Sequence, residues 1–292
     1  MDQASNLRNI IKQREIGGSV KKARVIAVTS GKGGVGKSNT TVNLAVQLSK
    51  IGKRVVIFDA DIGLANVEVM FGAIPRYNLS DVIYRGMNIR DVITPGPENV
   101  GFISGGSGIV GLSNITKEQV ISLVRNIGEL ENMCDYVLID TGAGISDAVM
   151  EFVVSSPEVI LVSTPEPSSL TDSYSLLKTL YRHPGYEQSP AKVYVLANRV
   201  NSTEDGKSVY DKLSSVVTQF LHGSIEYLGL VPYDTAIDKA IRTQKAVSLF
   251  SPDATSSKAY EVIASNLANG ETKYYNINRG FSGLIRNLFG GR

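Results

Sequence analysis

The chain is poor in the residues that would announce a secreted or metal-centred protein. It has 292 residues and a single cysteine, Cys134. One cysteine cannot close an intrachain disulfide, so nothing argues for an oxidising compartment and a cytosolic address is expected. Its two histidines, His183 and His222, have no triad or metal-ligand spacing around them, and both are expected at the surface. The first 25 residues lack the apolar core of a signal peptide. No uninterrupted apolar run approaches the roughly 20 residues of a spanning helix, so no membrane crossing is expected. Low-complexity runs are also absent, and 42% hydrophobic with 20% charged residues is the balance of an ordinary globular chain. The length allows one large α/β domain or two small ones. The net charge of +2 is unevenly spread: residues 1–24 hold six Lys/Arg against two acids, and residues 270–292 four against one. Both ends are therefore basic and the middle acidic, which suits docking of the ends onto an acidic surface.

What is present is a recurring β-branched run: RVIAVT (24–29), RVVIFD (54–59), NVGFIS (99–104), YVLID (136–140), EVILVST (158–164), KVYVLAN (192–198) and EYLGLV (226–231). Most of these runs are apolar on both faces and are separated by helix-length segments. That is how parallel strands covered on both sides read. Between the first two, residues 37–51 place Val42, Ala45, Val46 and Leu48 for burial, and Gly52 stops the helix. The expected fold is α/β: a doubly wound, mostly parallel sheet flanked by helices on both faces. It forms one domain over residues 24–269, with an N-terminal extension (1–23) and a C-terminal linker and helix (270–292).

The stretch SGKGGVGKS at 30–38 follows the first strand and opens that helix. Its G-x-x-x-x-G-K-S pattern turns backbone N–H groups around a phosphate at a helix N-terminus. It assigns Gly31, Gly33, Gly34, Val35, Gly36, Lys37 and Ser38, with Asn39 after them, to nucleotide binding. Lys37 would reach the β- and γ-phosphates and the Ser38 hydroxyl would meet Mg²⁺. Lys32 is the unexpected residue. A lysine at the second loop position sits on the outer rim, poorly placed for its own nucleotide and better placed for a facing one. FDADIGLANV puts Asp59 and Asp61 at the carboxyl edge of the second strand, where ligands of such sheets bind. YVLIDTGAG ends another strand in Asp140, followed by two glycines that would let backbone approach a phosphate and relax after hydrolysis.

GKGGVGKS resembles the deviant phosphate loop of the MinD/ParA ATPases. The resemblance runs from about residue 24 to the end and implies a P-loop NTPase fold, with ATP and Mg²⁺ as ligands. It also implies a homodimer that sandwiches two ATP molecules, in which Lys32 contacts the phosphates of the opposite subunit. Asp59 is then expected in the Mg²⁺ and water shell, and Asp61 positions the attacking water; Asp140 is the acid that holds Mg²⁺ through water. ANRVN is similar to the family segment in which an asparagine, here Asn198, recognises adenine beside Arg199, and VPYD brings Pro232 to the same side. No N-K-x-D-like guanine motif is present. The catalytic set implied is Lys32, Lys37 and Asp61; the metal set is Ser38, Asp59 and Asp140. Redox enzymes of the nitrogenase iron-protein type share this loop but need two cysteines per subunit, which Cys134 alone excludes. An inert nucleotide-binding scaffold would leave the three acids without a purpose.

The ends carry further signals. Phe281, Leu284, Ile285, Leu288 and Phe289 fall at helical spacing, with Arg279, Arg286 and Arg292 flanking or opposite. Such a short amphipathic helix would form on an anionic membrane surface rather than alone in water. MinD ends in a similar basic and aromatic helix. At the front, Ala4, Leu7, Ile10 and Ile11 share one helical face, and Asp2, Gln3, Ala4, Leu7 and Arg8 resemble the D-Q-A-x-x-L-R motif of the flagellar-number branch of the family (FlhG, also called YlxH or FleN). In that branch the extension activates a GTPase resembling that of the signal-recognition particle. The partners so implied are a second copy, that GTPase, flagellar switch (C-ring) proteins and the membrane. No direct nucleic-acid contact is expected. The chain would then lie in the cytoplasm, peripheral to the inner face of the membrane when ATP-bound. Division-site selection like MinD, or DNA partition like ParA, are the alternative jobs for the same ATPase. The N-terminal motif disfavours the first and the lipid-type C-terminus the second.

Overall fold

Val25 to Val28 in the first apolar run are all buried, whichever face of the strand they occupy. A strand with two dry faces needs helices on both sides, and the computed structural model provides them. It describes residues 22–270 apart from 62, 63, 65 and 107–115, together with 273 and 275–277. The expected partner-activating residues Asp2, Gln3, Ala4, Leu7 and Arg8, and the expected membrane-facing residues Phe281, Leu284, Ile285, Leu288 and Phe289, lie outside the described residues.

The described strands are β1 (Arg24–Ser30), β2 (Val55–Ala60), β3 (Thr94–Pro95), β4 (Gly101–Ile103), β5 (Tyr136–Ala143), β6 (Glu158–Ser163), β7 (Lys192–Val200) and β8 (Glu226–Pro232). They form one sheet in the order β3-β4-β2-β5-β1-β6-β7-β8. Every pairing is parallel except β3 with β4. The helices are α1 (Lys37–Lys50), α2 (Asn66–Phe71), α3 (Leu79–Arg85), α4 (Lys117–Leu130), α5 (Asp147–Ser155), α6 (Pro167–Tyr181), α7 (Pro184–Gln188), α8 (Thr203–Val216), α9 (Thr235–Arg242), α10 (Val247–Phe250) and α11 (Thr255–Asn269). On one face, α1 and α11 pack over Ile26, Val28 and Leu138. On the other, α5, α6 and α8 bury Ala27, Val159 and Leu161, while α3 and α4 cover Phe58, Val137 and Ile139. The doubly wound expectation holds.

Helix α1 behaves as its sequence requires. Val42, Ala45, Val46 and Leu48 are fully buried. Gly52 follows the helix in the left-handed region (φ 80). Its N–H donates to the Ser49 carbonyl at 2.8 Å and that of Lys53 to Leu48 at 3.1 Å, so the last carbonyls find partners.

Two local expectations change. The run at 99–104 pairs only from Gly101, because Asn99 takes a positive φ of 58 and belongs to the preceding turn. The short antiparallel β3 closes that edge of the sheet with a proline, which donates no ladder hydrogen bond. The stretch after α11, expected as a flexible linker, is docked where it is described. The Lys273 backbone exchanges hydrogen bonds with the Asn266 side chain, and the Ile277 N–H donates to Thr203 Oγ1 at 3.1 Å. Tyr275 packs against the cores of both faces. Burial of that ring and of Ile277 offsets the cost of ordering the segment.

His222 is exposed, as expected, and His183 is half-buried because its Nδ1 accepts from the Gly185 N–H and so caps α7. Among the described residues no helix is long and apolar enough to cross a membrane.

Candidate functional site at the carboxyl edge of the sheet

The loop between β1 and α1 rests on a close contact that only glycine permits. Gly36 precedes the helix at φ 95, and a Cβ there would lie 2.3 Å from Asn198 Nδ2. Asn198 is brought there by β7; its Nδ2 donates to the Val35 carbonyl at 2.7 Å, and its Oδ1 accepts from the Arg199 N–H at 2.9 Å. Asn198 is therefore the tie between β7 and the loop. One N–H of its amide remains outside these two bonds. Val35 is buried in the core and can offer a ligand only its backbone. Gly33 and Gly34 have open space where a side chain would be, so the loop backbone is accessible there.

Below the loop lies a charged cluster. Asp59 and Asp140 sit side by side in the β2–β5 register, and both are fully buried. Lys37, at the start of α1, pairs with Asp140 Oδ1 at 3.1 Å, and Thr41 Oγ1 one turn later donates to the same oxygen at 3.1 Å. Asp140 Oδ2 is buried and has no hydrogen-bond partner among the described residues. Asp59 accepts from the N–H groups of Asp61 at 3.2 Å and Val67 at 3.1 Å. Burial, and then the neighbouring Asp140 charge, push the Asp59 carboxyl well above the ordinary carboxylate range. Asp61, half-buried at the cleft wall, is raised mainly by burial, with Lys37 opposing; Asn66 Nδ2 donates to it at 2.9 Å. Three carboxylates face one lysine, so the cluster is short of positive charge.

That shortage and the orphaned Asp140 oxygen are what a divalent cation would relieve, and the oxygen ligands present suit Mg²⁺. Ser38, on the loop's helical turn, and Asp59 are the other residues that fit such a role.

A cleft of about 830 Å³ opens over the cluster. It brings together Gly33, Gly34, Gly36, Lys37, Ser38 and Asn39 from the loop, Asp61 and Asn66 from the segment after β2, Gly142 from the end of β5, and Arg199 beyond β7. Asp59, Asp140 and Asn198 lie beneath its floor. Pro232 is buried at the end of β8, paired with Val200, and the Tyr233 N–H donates to the Val200 carbonyl at 2.9 Å. The residues expected on the base side thus do adjoin. A second cleft, about 450 Å³, opens at the amino-terminal edge between Arg24 and Lys192. Those cations are already paired with Glu158 and Glu226, and open parallel sheets bind ligands at the other edge.

Lys32 lies apart. It is on the rim, and its Nζ contacts Glu166 and Ser168 rather than the cleft. Sequence reasoning missed Thr41, Asn66, Glu166 and Ser168. Thr41 was within reach, being one helical turn from Lys37. Asn66 was also within reach, five residues beyond Asp61 in the same run, whereas Glu166 and Ser168 meet Lys32 through folding alone.

A family profile described as the CobQ/CobB/MinD/ParA nucleotide binding domain matches residues 26–247. The chain belongs to this family. Like other members it is an ATPase. The family match covers β1 to the start of α10, the whole carboxyl edge just described. Antiactivator FleN of Pseudomonas aeruginosa is 40% identical over 247 residues, covering 85% of this chain and 87% of its own length. Flagellum site-determining protein YlxH of Helicobacter pylori is 32% identical over 266 residues, 90% and 88% of the two chains. Among solved structures, the septum site-determining protein MinD of Pyrococcus horikoshii, complexed with Mg-ADP, superposes with a TM-score of 0.69 at 27% identity, covering 86% of this chain and 99% of that one.

Proposed function

We propose that this MinD/ParA ATPase is a switch controlling flagellar number or placement: bound to ATP it pairs with a second copy and settles on the membrane, and hydrolysis releases it. The flagellar assignment is supported by the likeness to YlxH and FleN and by the DQASNLR motif, through which the N-terminus would stimulate a GTPase partner. One observation carries the dimer. The loop has two lysines, and only Lys37 points into its own cleft; Lys32 stands outside it, on the surface a facing copy would meet.

Within one copy, the loop N–H groups and Lys37 would bind the phosphates, and Lys37 would exchange Asp140 for them. Mg²⁺, when bound, supplies charge neutralisation to the phosphates, with Ser38, Asp59 and Asp140 as the residues that would hold it. Asp61 orients water toward the terminal phosphate, a role that requires placement rather than basicity. Asn66 holds the Asp61 carboxylate in place for that task. Arg199, the remaining amide N–H of Asn198 and the turn at Pro232 would take the base.

The test is dimerisation. With a slowly hydrolysed ATP analogue and Mg²⁺, the wild type should sediment as a dimer and Lys32→Ala as a monomer that still binds nucleotide. A Lys32→Ala chain that dimerises normally would falsify the role in a facing site.

A further inference from the structure

Lys32 is not idle in the single chain. Its Nζ donates to Glu166 Oε2 and Ser168 Oγ, each at 2.8 Å. Both partners stand at the start of α6, where Glu166 is the N-cap and Pro167 the first helical residue. A side chain at an N-cap usually accepts a hydrogen bond from the helix's own first N–H groups. Glu166 makes no such bond, and its carboxylate is turned to Lys32 instead. Lys32, and more weakly Arg199, hold that carboxyl below its usual range, so it is ionised wherever the ATPase would operate. The loop and the helix are also fixed against each other. A Cβ on Gly31 would lie 2.2 Å from the Asp172 backbone, so the strand-to-loop turn is seated directly on α6.

We propose that Glu166 and Ser168 form a clasp that holds Lys32 in cis and competes with the facing copy for it, so that the clasp sets the concentration at which two ATP-bound copies join. It acts on the dimer proposed above and has no purpose without it. An ammonium has three N–H donors, and two are engaged here. To meet phosphate oxygens across an interface, Lys32 must give up at least part of this pairing. A triphosphate carries several negative charges against the single charge of Glu166, so the lysine transfers when ATP faces it. A diphosphate offers fewer charges at the far end and competes less well. The clasp therefore sharpens the distinction between the two nucleotides that the pocket alone must make.

The size of the effect follows from exposure. The Lys32 and Glu166 side chains are 36% and 57% exposed. Exposed pairs of this kind shift an equilibrium by about two- to fivefold. A symmetric dimer opens two clasps, so the factor applies twice, giving about four- to 25-fold in dimer affinity. The clasp is a threshold adjuster, too weak to block pairing outright.

The experiment is sedimentation velocity on the full chain with Mg²⁺ and a slowly hydrolysed ATP analogue, over a range of protein concentrations. Glu166→Gln and Ser168→Ala should each lower the midpoint of dimerisation, Glu166→Gln by about four- to 25-fold and Ser168→Ala by a smaller factor. The advantage of Glu166→Gln should shrink in high salt, which screens the exposed pair. Ser168→Ala changes no charge, so it separates the clasp from simple relief of repulsion between Glu166 and the facing phosphates. A shift in Glu166→Gln alone overturns the clasp in favour of repulsion. Unchanged midpoints in both variants overturn it outright. Weaker dimers in either mean that Glu166 steadies Lys32 for the facing site instead of competing for it. A wild type that stays monomeric at every concentration, and is indifferent to Lys32→Ala, overturns the dimer itself and the clasp with it.

Discussion

Gly36 and Asn198 are separated by most of the chain and occupy one space. The asparagine amide fills the volume where a side chain at 36 would be, and from there it bonds the Val35 carbonyl. Gly36→Ala should therefore cost more than its left-handed φ alone, about 2–4 kcal/mol once the displaced amide hydrogen bond is included. Asn198→Ala leaves the Val35 carbonyl without that donor but clears room for the alanine. The double variant should be less destabilised than the sum of the singles by about 1 kcal/mol or more, a coupling measurable by urea denaturation. Strict additivity would show that the contact carries no energy. This pairing also marks the limit of sequence reading at single residues. The placement of the loop glycines, Lys37, Asp61 and Asp140 around one cleft was legible because each sits in a short motif at the end of an apolar strand. The Asn198 tie and the Glu166 clasp were not, since no local pattern encodes a contact that exists only after β6 and β7 align beside β1. Asn198 could be selected as a site residue while its visible duty, holding the loop, went unread.

The elements were legible where both faces are dry. Runs such as RVIAVT and KVYVLAN have no other stable home than a covered parallel sheet, and their bounds came within a residue or two. The edge read less well: β3 has two residues, and the turn before β4 is set by positive φ at Glu98 and Asn99, which apolar periodicity does not report. Helix starts depend on single polar residues, and Asp234 has the most demanding position. It caps α9 through the Ala236 N–H at 2.9 Å, and it accepts from Thr255 and from both the backbone and the hydroxyl of Ser256 at the start of α11. Burial alone would raise its carboxyl, yet these bonds outweigh burial and hold it below the usual range. A depressed value means that the native state favours the ionised form. The resulting stability is complete at pH well above the ordinary value of 3.8 and is lost as the pH falls through the folded value below it. Asp234→Ala should lower stability at pH 7 by about 1–2 kcal/mol, the size of a lost cap. The difference from wild type should shrink toward pH 3, as thermal melts across pH would show. A deficit independent of pH would mean that the carboxylate charge is irrelevant to the tie.

At the scale of the whole molecule, the described end of the chain has a direction. Residue 273 lies beside Asn266, near the last turn of α11 at the amino-terminal edge of the sheet, and residue 277 reaches Thr203, which opens α8 just beyond the carboxyl end of β7. Tyr275, wedged between the cores of both faces, holds it along that route. The chain is thus handed on at the edge where Arg199 meets the nucleotide cleft. The sequence continues into the basic stretch that starts at Arg279, the segment proposed to meet lipid. Under the proposed membrane role one such segment would bind anionic lipid weakly, since each arginine near the surface contributes about 1 kcal/mol and helix ordering consumes part of the gain. In the proposed ATP-bound dimer two copies would bind in tandem, the second segment being held at high effective concentration once the first has landed. The expected outcome in a vesicle sedimentation assay is sharp. With ATP and anionic vesicles the wild type pellets, and a chain lacking residues 279–292 stays in the supernatant while still binding ATP. Lys32→Ala, which keeps the segment, should follow the truncated chain toward the supernatant, because it has lost the pairing rather than the anchor. Full pelleting of Lys32→Ala would separate membrane binding from dimerisation and leave the segment acting alone.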